Sequence, residues 1–370
     1  MDRKEMVRTL DEWMGRSYAG FKDSGRLPSG RNPLKSYVVE ANVEGVGEHA
    51  HALQQFFSGP DVPTPVELSE TDDPSLHLLQ LGGKRVSFFL DTLDPRFWLL
   101  HSTATADAAD NAIRGLVQRT RLLDSMWLPS QYLESWSGDL GEPRVLTGKF
   151  AVPTGLYRDE LPEDEFVNDS LFLRIGASGD ARVRWRQLRE AKELAPSLAL
   201  WAARIVRRDL SRDYVVLDDV TAIGKLTCRG NSFRLHQELL HALKTRYAGL
   251  IEEWERTYRI GWEASGSSAK PVGTTADLVL PRPLEEHELE SLMSSLFSCG
   301  EPYRLYGVPI RQGYLRYVVR GVDLHTGHKI DFELGPSLLR AYLHQKTCGN
   351  VLARLLTNLQ HYHDARVGLQ

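Results

Sequence analysis

The sequence predicts an α+β fold in which two mixed or antiparallel β-α-β-β-β-β-α-like units flank a helix-rich middle region. Stretches that alternate apolar and polar residues, as half-buried strands do, follow one another over residues 36–104 and again over 274–335. In both regions, stretches with apolar residues at helical spacing interrupt or follow the alternation. Between the two regions, one long stretch keeps an apolar stripe at helical spacing. These three observations define the predicted architecture.

We predict four segments along the chain. They are an N-terminal helix with a flexible segment (residues 1–35), a first α+β unit (36–140), an arginine-rich middle α+β region with a long helix (141–265) and a second α+β unit (271–370). The clearest boundary is the Ser/Gly-rich stretch at 264–273, whose composition is typical of a linker.

The first two segments follow from apolar spacing. Met6, Leu10, Trp13 and Met14 share one face of a predicted helix, and a Gly/Ser/Arg-rich stretch follows it. We then expect a strand from residue 36, a short helix near 46–57 and four strands up to residue 104. A long helix comes next, with Thr103 or Thr105 as its N-cap and a proline ending it at position 129.

The middle segment opens with an acidic loop at 158–169 and a strand at 170–176. The alternation of arginine with valine and tryptophan at 180–188 predicts a second strand. A helix is expected from about residue 190 to 210, one or two strands within 213–228, and a long closing helix at 234–260. The apolar stripe of that helix is more typical of a core element than of a cofactor site.

The last hundred residues are expected to repeat the element order of the first unit. A strand at 274–281 precedes a helix that ends at Gly300, three strands follow, and a C-terminal helix begins at Pro336. The β-α-β-β-β-β-α order resembles that of the saddle-like unit of TATA-binding proteins and of helix-grip folds. The resemblance concerns element order alone and implies nothing about DNA readout.

Composition excludes several classes of protein. The chain has 370 residues, 42% of them hydrophobic and 25% charged, with a net charge of -4, which is typical of a soluble globular protein and not of a disordered one. We find no apolar run of about 20 residues and no signal-peptide pattern. Three isolated cysteines indicate reduced thiols. We therefore expect a cytoplasmic protein with no membrane partner.

Catalytic and metal-binding patterns are weak. The sequence lacks GxGxxG, GxxxxGK[ST], GxSxG and HExxH motifs. His344-Gln345-Lys346 resembles the HxK core of phospholipase-D-like nucleases, but Val351 stands where their aspartate belongs. Several histidines and Cys348 fall within the last 50 residues, without the paired spacing of a zinc site. We predict no catalytic residues, no metal ligands and no cofactors.

Arginine is the residue type that suggests a partner. The chain has 34 Arg and 11 Lys, and residues 174–212 carry ten basic and four acidic side chains, a local charge of +6. On a strand, Arg182, Arg184 and Arg186 would form one row, and such a row is suited to phosphates. The predicted nucleic-acid-binding residues are Arg182, Arg184, Arg186, Arg189, Arg207, Arg208, Arg316 and Arg320. The alternative is a solvated face, or arginines paired with the acidic loop.

Taken together, these features predict a non-enzymatic subunit of a cytoplasmic multi-protein assembly that contacts the backbone of DNA or RNA. A prokaryotic defence system is one setting in which such chains occur. Two alternatives remain open at this point. One is a protein-binding scaffold that binds no nucleic acid, and the other is a divergent nuclease or hydrolase that uses C-terminal histidines such as His344 and His361.

Overall fold

The computed structural model describes residues 1–24, 32–45, 50–62, 65–82, 86–150, 171–176, 181–265 and 268–370. Its helices are α1 (Arg3–Ser24), α2 (Ala50–Ser58), α3 (Ala106–Arg119), α4 (Ser130–Leu140), α5 (Ala181–Glu190), α6 (Phe233–Tyr258), α7 (Glu286–Leu296) and α8 (Asn350–Tyr362). With the many antiparallel strands described next, these helices confirm the predicted α+β class. None of the described helices combines the length and the apolar character that crossing a membrane requires.

The described strands form three sheets. They are β1 (Leu34–Ala41), β2 (Val66–Glu70), β3 (Leu76–Leu81), β4 (Val86–Asp91), β5 (Phe97–Ser102), β6 (Leu123–Ser125), β7 (Glu142–Phe150), β8 (Phe172–Gly176), β9 (Leu198–Asp209), β10 (Tyr214–Thr221), β11 (Lys225–Gly230), β12 (Gly261–Ser265), β13 (Ser268–Val272), β14 (Ala276–Val279), β15 (Leu305–Gly313), β16 (Arg316–Asp323), β17 (Lys329–Gly335), β18 (Leu338–Leu343) and β19 (Gly368–Leu369).

The chain packs into two compact units whose composition differs from the four segments predicted from the sequence. Unit 1 comprises Met1–Met126, Glu134–Val145 and Ala202–Ala248. Unit 2 comprises Trp127–Leu133, Leu146–Trp201 and Gly249–Gln370. Each unit is therefore assembled from three separate stretches of sequence, which composition along the chain does not reveal.

Unit 1 is built on an antiparallel sheet with the order β2-β3-β4-β5-β1-β11-β10-β9, and β6 also pairs with β1. One face packs on α2 and α3, with Val39, Phe88 and Trp98 in its apolar core. The opposite face lies beneath α1 and the start of α6, where Leu34 and Cys228 contact the apolar stripe of α1. Strand β1 is consequently buried along its whole length.

Unit 2 contains the six-stranded antiparallel sheet β15-β16-β17-β18-β14-β19. Burial alternates along β16, β17 and β18, so one face is in the core and the other is open. The core side chains include Phe332 and Leu343 from the sheet and Leu355 from α8. Strand β15 is an edge strand, and most of its residues are exposed.

The two units share one topology. Unit 1 contains β1-α2-β2-β3-β4-β5-α3, and unit 2 contains β14-α7-β15-β16-β17-β18-α8. In both, the last of the four consecutive strands pairs with the first strand of the series, so the spatial orders β2-β3-β4-β5-β1 and β15-β16-β17-β18-β14 correspond. The chain thus uses one arrangement of elements twice.

Several elements predicted from the sequence are wrong. The stretch 181–190 is helix α5, not a strand, because Ala181 and Trp185 are buried one turn apart while the residues between them are exposed. The helix expected over 190–210 is replaced by turns and strand β9. The helix expected at Pro336 is strand β18, and α8 begins only at Asn350.

The structure modifies two further predictions. The long helix expected after Thr105 is divided into α3, strand β6 and helix α4. Within the predicted linker, β12 and β13 pair as a hairpin. The acidic loop at 158–169 and residues 25–31 of the Gly/Ser/Arg-rich stretch lie outside the described residues, whereas the start of that stretch is the end of helix α1.

Candidate functional site

Helix α5 of unit 2 presents several arginines to solvent. Arg182, Arg184 and Arg186 are all exposed, and none makes an ion pair or side-chain hydrogen bond within the described residues. Trp185, in the same helix, is buried and anchors it to the rest of the unit. Because the segment is a helix, Arg182 and Arg186 lie one turn apart on one side and Arg184 lies on the other. The single row expected on a strand is therefore wrong.

Strand β8 extends this basic surface. It packs against α5 and carries Arg174 beside the ring of Phe172, two residues away on the same face. Arg174 is exposed and has no charged partner within the described part of the chain. We call Arg174, Arg182, Arg184 and Arg186 the basic surface of unit 2.

Unit 2 also carries exposed aromatic rings. Phe172 is 47% exposed and its ring lies 6.1 Å from that of Trp201. Tyr362, at the end of α8, is 43% exposed. The Lys149 ammonium lies over the rings of both Trp201 and Tyr362, 5.3 Å and 4.0 Å from their centres, and makes a cation–π contact with each. Unit 2 therefore offers exposed rings as well as guanidinium groups.

Three of the predicted binding arginines already have partners. Arg189 is half-buried and donates to the carbonyls of Leu198 and Ala365. Arg207 donates to the Leu235 carbonyl and pairs with Glu238 at 3.2 Å. Arg316 lies 3.3 Å from Glu333. These side chains connect elements of their own unit.

The other two predicted residues, Arg208 and Arg320, are exposed. Neither makes an ion pair with a described side chain, so each is available to an anion. Arg208 belongs to unit 1, whereas Arg320 lies on the open face of the sheet in unit 2.

The C-terminal histidines are not gathered at one site. His344 is 3.0 Å from Asp331. His361 is buried against Trp201, with ring centres 5.3 Å apart, and neither of its ring nitrogens has a hydrogen-bond partner among the described residues. Burial, with a smaller contribution from Lys149, lowers the pKa of His361 to about 3. A neutral, enclosed imidazole of this kind is poorly suited to proton transfer with a substrate.

Unit 1 contains a buried polar chain that the sequence did not suggest. His236, in the first turn of α6, has its Nδ1 2.6 Å from Asp218 Oδ1 and its Nε2 2.7 Å from Ser36 Oγ. Ser36 Oγ is also 2.7 Å from His101 Nδ1. Ser36 and His101 face each other across β1 and β5, and Asp218 faces Cys228 across β10 and β11. All five residues are buried.

Hydrogen-bonding rules restrict how protons are arranged in this chain. A carboxylate accepts, so His236 Nδ1–H donates to Asp218. Burial, with smaller contributions from the neighbouring histidines, lowers the pKa of His101 to about 3, and His101 is therefore neutral. When His101 Nδ1–H donates to Ser36 and Ser36 donates to His236 Nε2, His101 Nε2 is a buried acceptor without a partner in the described structure.

Two groups next to these hydrogen-bonded residues have unusual surroundings. Asp218 Oδ2 is buried and makes no hydrogen bond of normal geometry within the described residues. Burial and the neighbouring Asp218 raise the pKa of the Cys228 thiol well above its ordinary value. Ligand atoms of Asp218, Cys228 and His236 all lie within 4.8 Å of one another, and these three residues could hold a metal ion.

A cavity of about 450 Å³ lies elsewhere in unit 1, between β5 and α6. Its charged lining is already paired, because Lys244 donates to Asp94 at 2.8 Å and Arg3 binds Asp91. Burial raises the pKa of Asp94, but hydrogen bonds from Lys244 and two backbone N–H groups outweigh it and lower the net value. The lining therefore leaves few unpaired charges for a ligand.

With these arrangements described, the chain can be assigned to a class. It belongs to the family of MJECL33-like proteins, whose model matches residues 1–370. It is similar to the uncharacterized protein MJECL33 of Methanocaldococcus jannaschii, with 24% identity over 402 aligned positions that cover 100% of this chain and 94% of that protein. No solved structure matches it.

Proposed function

We propose that the chain is a non-enzymatic subunit of a cytoplasmic multi-protein assembly and that it contacts the nucleic-acid backbone through the basic surface of unit 2. The observation that supports this proposal is that Arg182, Arg184 and Arg186 are exposed without a partner in the described structure. Arginine suits this task because its planar guanidinium binds phosphate oxygens in pairs. Exposed Phe172 adds a ring on which a base can stack.

A binding assay at low salt tests the proposal. Fluorescent single-stranded RNA, single-stranded DNA and the corresponding duplexes are titrated with the unaltered protein and with R182Q/R184Q/R186Q. The matched control is R8Q/R16Q/R234Q, which removes three exposed arginines that each lie within 4.0 Å of a glutamate on their own helix. Both variants change the net charge equally.

We expect the α5 variant to lose about 3 kcal/mol of binding free energy, since charge-assisted hydrogen bonds contribute roughly 1 kcal/mol or more each. The control should bind as the unaltered protein does. If none of the four nucleic acids binds at low salt, the proposal is wrong. Equal losses in both variants would mean that total charge, and not α5, determines binding.

A second candidate function is a protein-binding scaffold, and one observation favours it. Tyr306, Val308 and Ile310 form an alternating apolar row on edge strand β15, and they are 49%, 59% and 56% exposed. Exposed apolar rows of this kind are typical of protein interfaces. Replacing Val308 and Ile310 with aspartate should abolish co-purification of a specific partner from the native host, while Tyr314→Ala, in the hairpin beside them, should not.

A hydrolase that uses His344 or His361 has less support from these contacts. His361 is enclosed, and His344 is engaged with Asp331. A role in prokaryotic defence stays a prediction, because neither the contacts nor the family match bear on it.

A further inference from the structure

We propose that Asp218, Cys228 and His236 in unit 1 bind one zinc-like divalent metal ion. The three side chains come from adjacent strands β10 and β11 and from the first turn of α6. Their ligand atoms lie within 4.8 Å of one another, and all three residues are buried. This inference is independent of the proposed nucleic-acid contact, which involves unit 2.

The scaffold holds each ligand firmly. Asp218 and Cys228 are paired directly across the two strands. His236 lies on a turn that is fixed at its start, because Ser232 Oγ accepts from the Leu235 N–H and Asp11 accepts from the Phe233 N–H at 2.6 Å. A metal site needs this rigidity, since the ligand atoms must converge on one point.

An unsatisfied atom indicates that hydrogen bonding alone does not complete the cluster. Asp218 Oδ2 is fully buried and makes no hydrogen bond of normal geometry within the described residues, and the neighbouring Cys228 thiol is only a weak donor to this carboxylate. Buried carboxylate oxygens are normally satisfied by donors or by cations. A divalent ion held by the carboxylate, the thiolate and an imidazole nitrogen would supply the missing positive charge.

The neighbouring residues fit the surroundings of a metal site. A histidine ligand usually donates its other ring N–H to a polar group, which fixes the orientation of the ring. With the ion on His236 Nδ1, the Nε2–H donates to Ser36 Oγ, and Ser36 donates in turn to His101 Nδ1. The His236–Ser36–His101 contacts keep their partners in this arrangement, and the ion replaces the proton between His236 Nδ1 and Asp218 Oδ1.

The order Asp218–His236–Ser36 also resembles a hydrolytic triad, but burial argues against that function. Ser36 lies in the middle of β1, between β5 and β11, and is fully buried. A nucleophile must reach its substrate, whereas this serine has no exposed surface. A metal ion held by these buried side chains does not require access for a substrate.

The donor set identifies the class of ion. One sulfur, one nitrogen and one oxygen suit zinc or a similar transition metal, whereas magnesium and calcium prefer oxygen ligands alone. Three protein ligands leave the fourth position of a tetrahedral ion to a small ligand such as water. Binding converts the Cys228 thiol to the thiolate and releases its proton.

The test uses full-length protein produced without chelators, in medium with added zinc and, separately, in zinc-depleted medium with cobalt. Metal content is measured by mass spectrometry, and cobalt protein is examined for the thiolate-to-metal charge-transfer band. The variants are Cys228→Ser and Asp218→Asn, which preserve size. The matched control is Cys299→Ser, which removes an exposed thiol outside the cluster.

We expect about one zinc per chain in the unaltered protein and in the control, and less than about a tenth of that in Cys228→Ser and Asp218→Asn, as for loss of a direct ligand. Absence of metal and of the charge-transfer band from the unaltered protein overturns the proposal. So does a band that persists in Cys228→Ser.

If those two variants fail to fold, the Ser36→Ala variant tests the metal-binding proposal instead. It keeps all three ligands and removes the hydroxyl that contacts both His236 and His101. We expect its affinity for cobalt, measured by competition with a chelator, to fall by about 10–100-fold. Unchanged affinity would locate the metal elsewhere and overturn the proposal.

Discussion

His361 illustrates how a single buried residue can make the stability of the protein depend on pH. It packs against the ring of Trp201, and both of its nitrogens are buried without a hydrogen-bond partner in the described structure. Its pKa is lowered to about 3, chiefly by burial and further by Lys149. The folded protein therefore holds this imidazole neutral, whereas the unfolded chain protonates it below about pH 6.5.

We predict that His361→Leu raises the free energy of unfolding at neutral pH by about 1 kcal/mol, because it removes two unsatisfied polar atoms. The sign of the pH effect follows from the lowered pKa. Above about pH 6.5 the imidazole is neutral in both the folded and the unfolded protein, so it causes no loss of stability. Below that pH the unfolded chain binds a proton that the folded protein does not, so the free energy of unfolding decreases as the pH falls toward 3.

Urea unfolding of both proteins at about pH 7.5 and about pH 5 measures this effect. Relative to the variant, the unaltered protein should lose about 2 kcal/mol more between the two values. His287→Leu, at an exposed position, is the control and should leave the pH dependence unchanged. An identical pH dependence for His361→Leu would contradict the prediction.

Helix α3 shows what an end-capping residue contributes to one element. The sequence left Thr103 and Thr105 as alternative N-caps, and the structure confirms Thr105, whose side chain accepts from the Ala108 N–H. Thr105→Ala should therefore destabilise the protein by about 1 kcal/mol, and Thr103→Ala should have a smaller effect. Urea unfolding at neutral pH compares the two, and equal losses would argue against a capping role.

Strand β8 contributes an aromatic ring to the basic surface of unit 2. If single strands bind there, Phe172→Ala should weaken single-stranded binding by about 1–3 kcal/mol, the value of one stacked base. Duplex binding should change less, because bases within a duplex are already stacked. Leu171→Ala removes the exposed neighbour of Phe172 and is the control. Equal losses for single strands and duplexes would mean that the ring does not stack on a base.

Elements whose apolar residues follow only one periodicity, that of a strand or that of a helix, were predictable. Elements whose sequence fits both periodicities were not. Strands β16, β17 and β18 alternate in burial, and the long helix α6 keeps one apolar stripe. In α5, by contrast, arginine alternates with Val183 and Trp185 as in a strand, while Ala181 and Trp185 are spaced as in a helix. Burial of Trp185 determines the outcome, and burial depends on elements distant in sequence.

Strand β9 shows the opposite error, since its leucines and alanines favour a helix by intrinsic propensity. Its first three residues are buried, and pairing with β10 keeps the chain extended. Tertiary contacts therefore override the local preference.

The polar chain of unit 1 could not be predicted from local sequence. Ser36 lies 200 residues from His236, and no motif connects them with Asp218. They meet because β1 pairs with β11, β11 pairs with β10, and α6 covers this face of the sheet. The exposed arginines, in contrast, were identified from composition, although their arrangement on α5 was not.

At the scale of the whole molecule, the distribution of charge matters more than its total. The chain carries a net charge of -4, which disfavours approach to nucleic acid. Within the described stretches from Arg174 to Glu193, however, six side chains are basic and two are acidic. Any binding should therefore depend on this surface and respond to salt through the small number of arginines that form it.

The number of arginines on the basic surface of unit 2 predicts how strongly binding should depend on salt. Each phosphate neutralised on a single strand releases counterions and contributes a slope of about -0.7 to the logarithm of affinity against the logarithm of salt concentration. Removing Arg182, Arg184 and Arg186 should therefore reduce the slope by about 2. Anisotropy titrations over a series of salt concentrations measure it, with R8Q/R16Q/R234Q as the control of equal charge. If the slope stays unchanged in the α5 variant while affinity falls, the arginines act on the protein's own structure and do not contact phosphate.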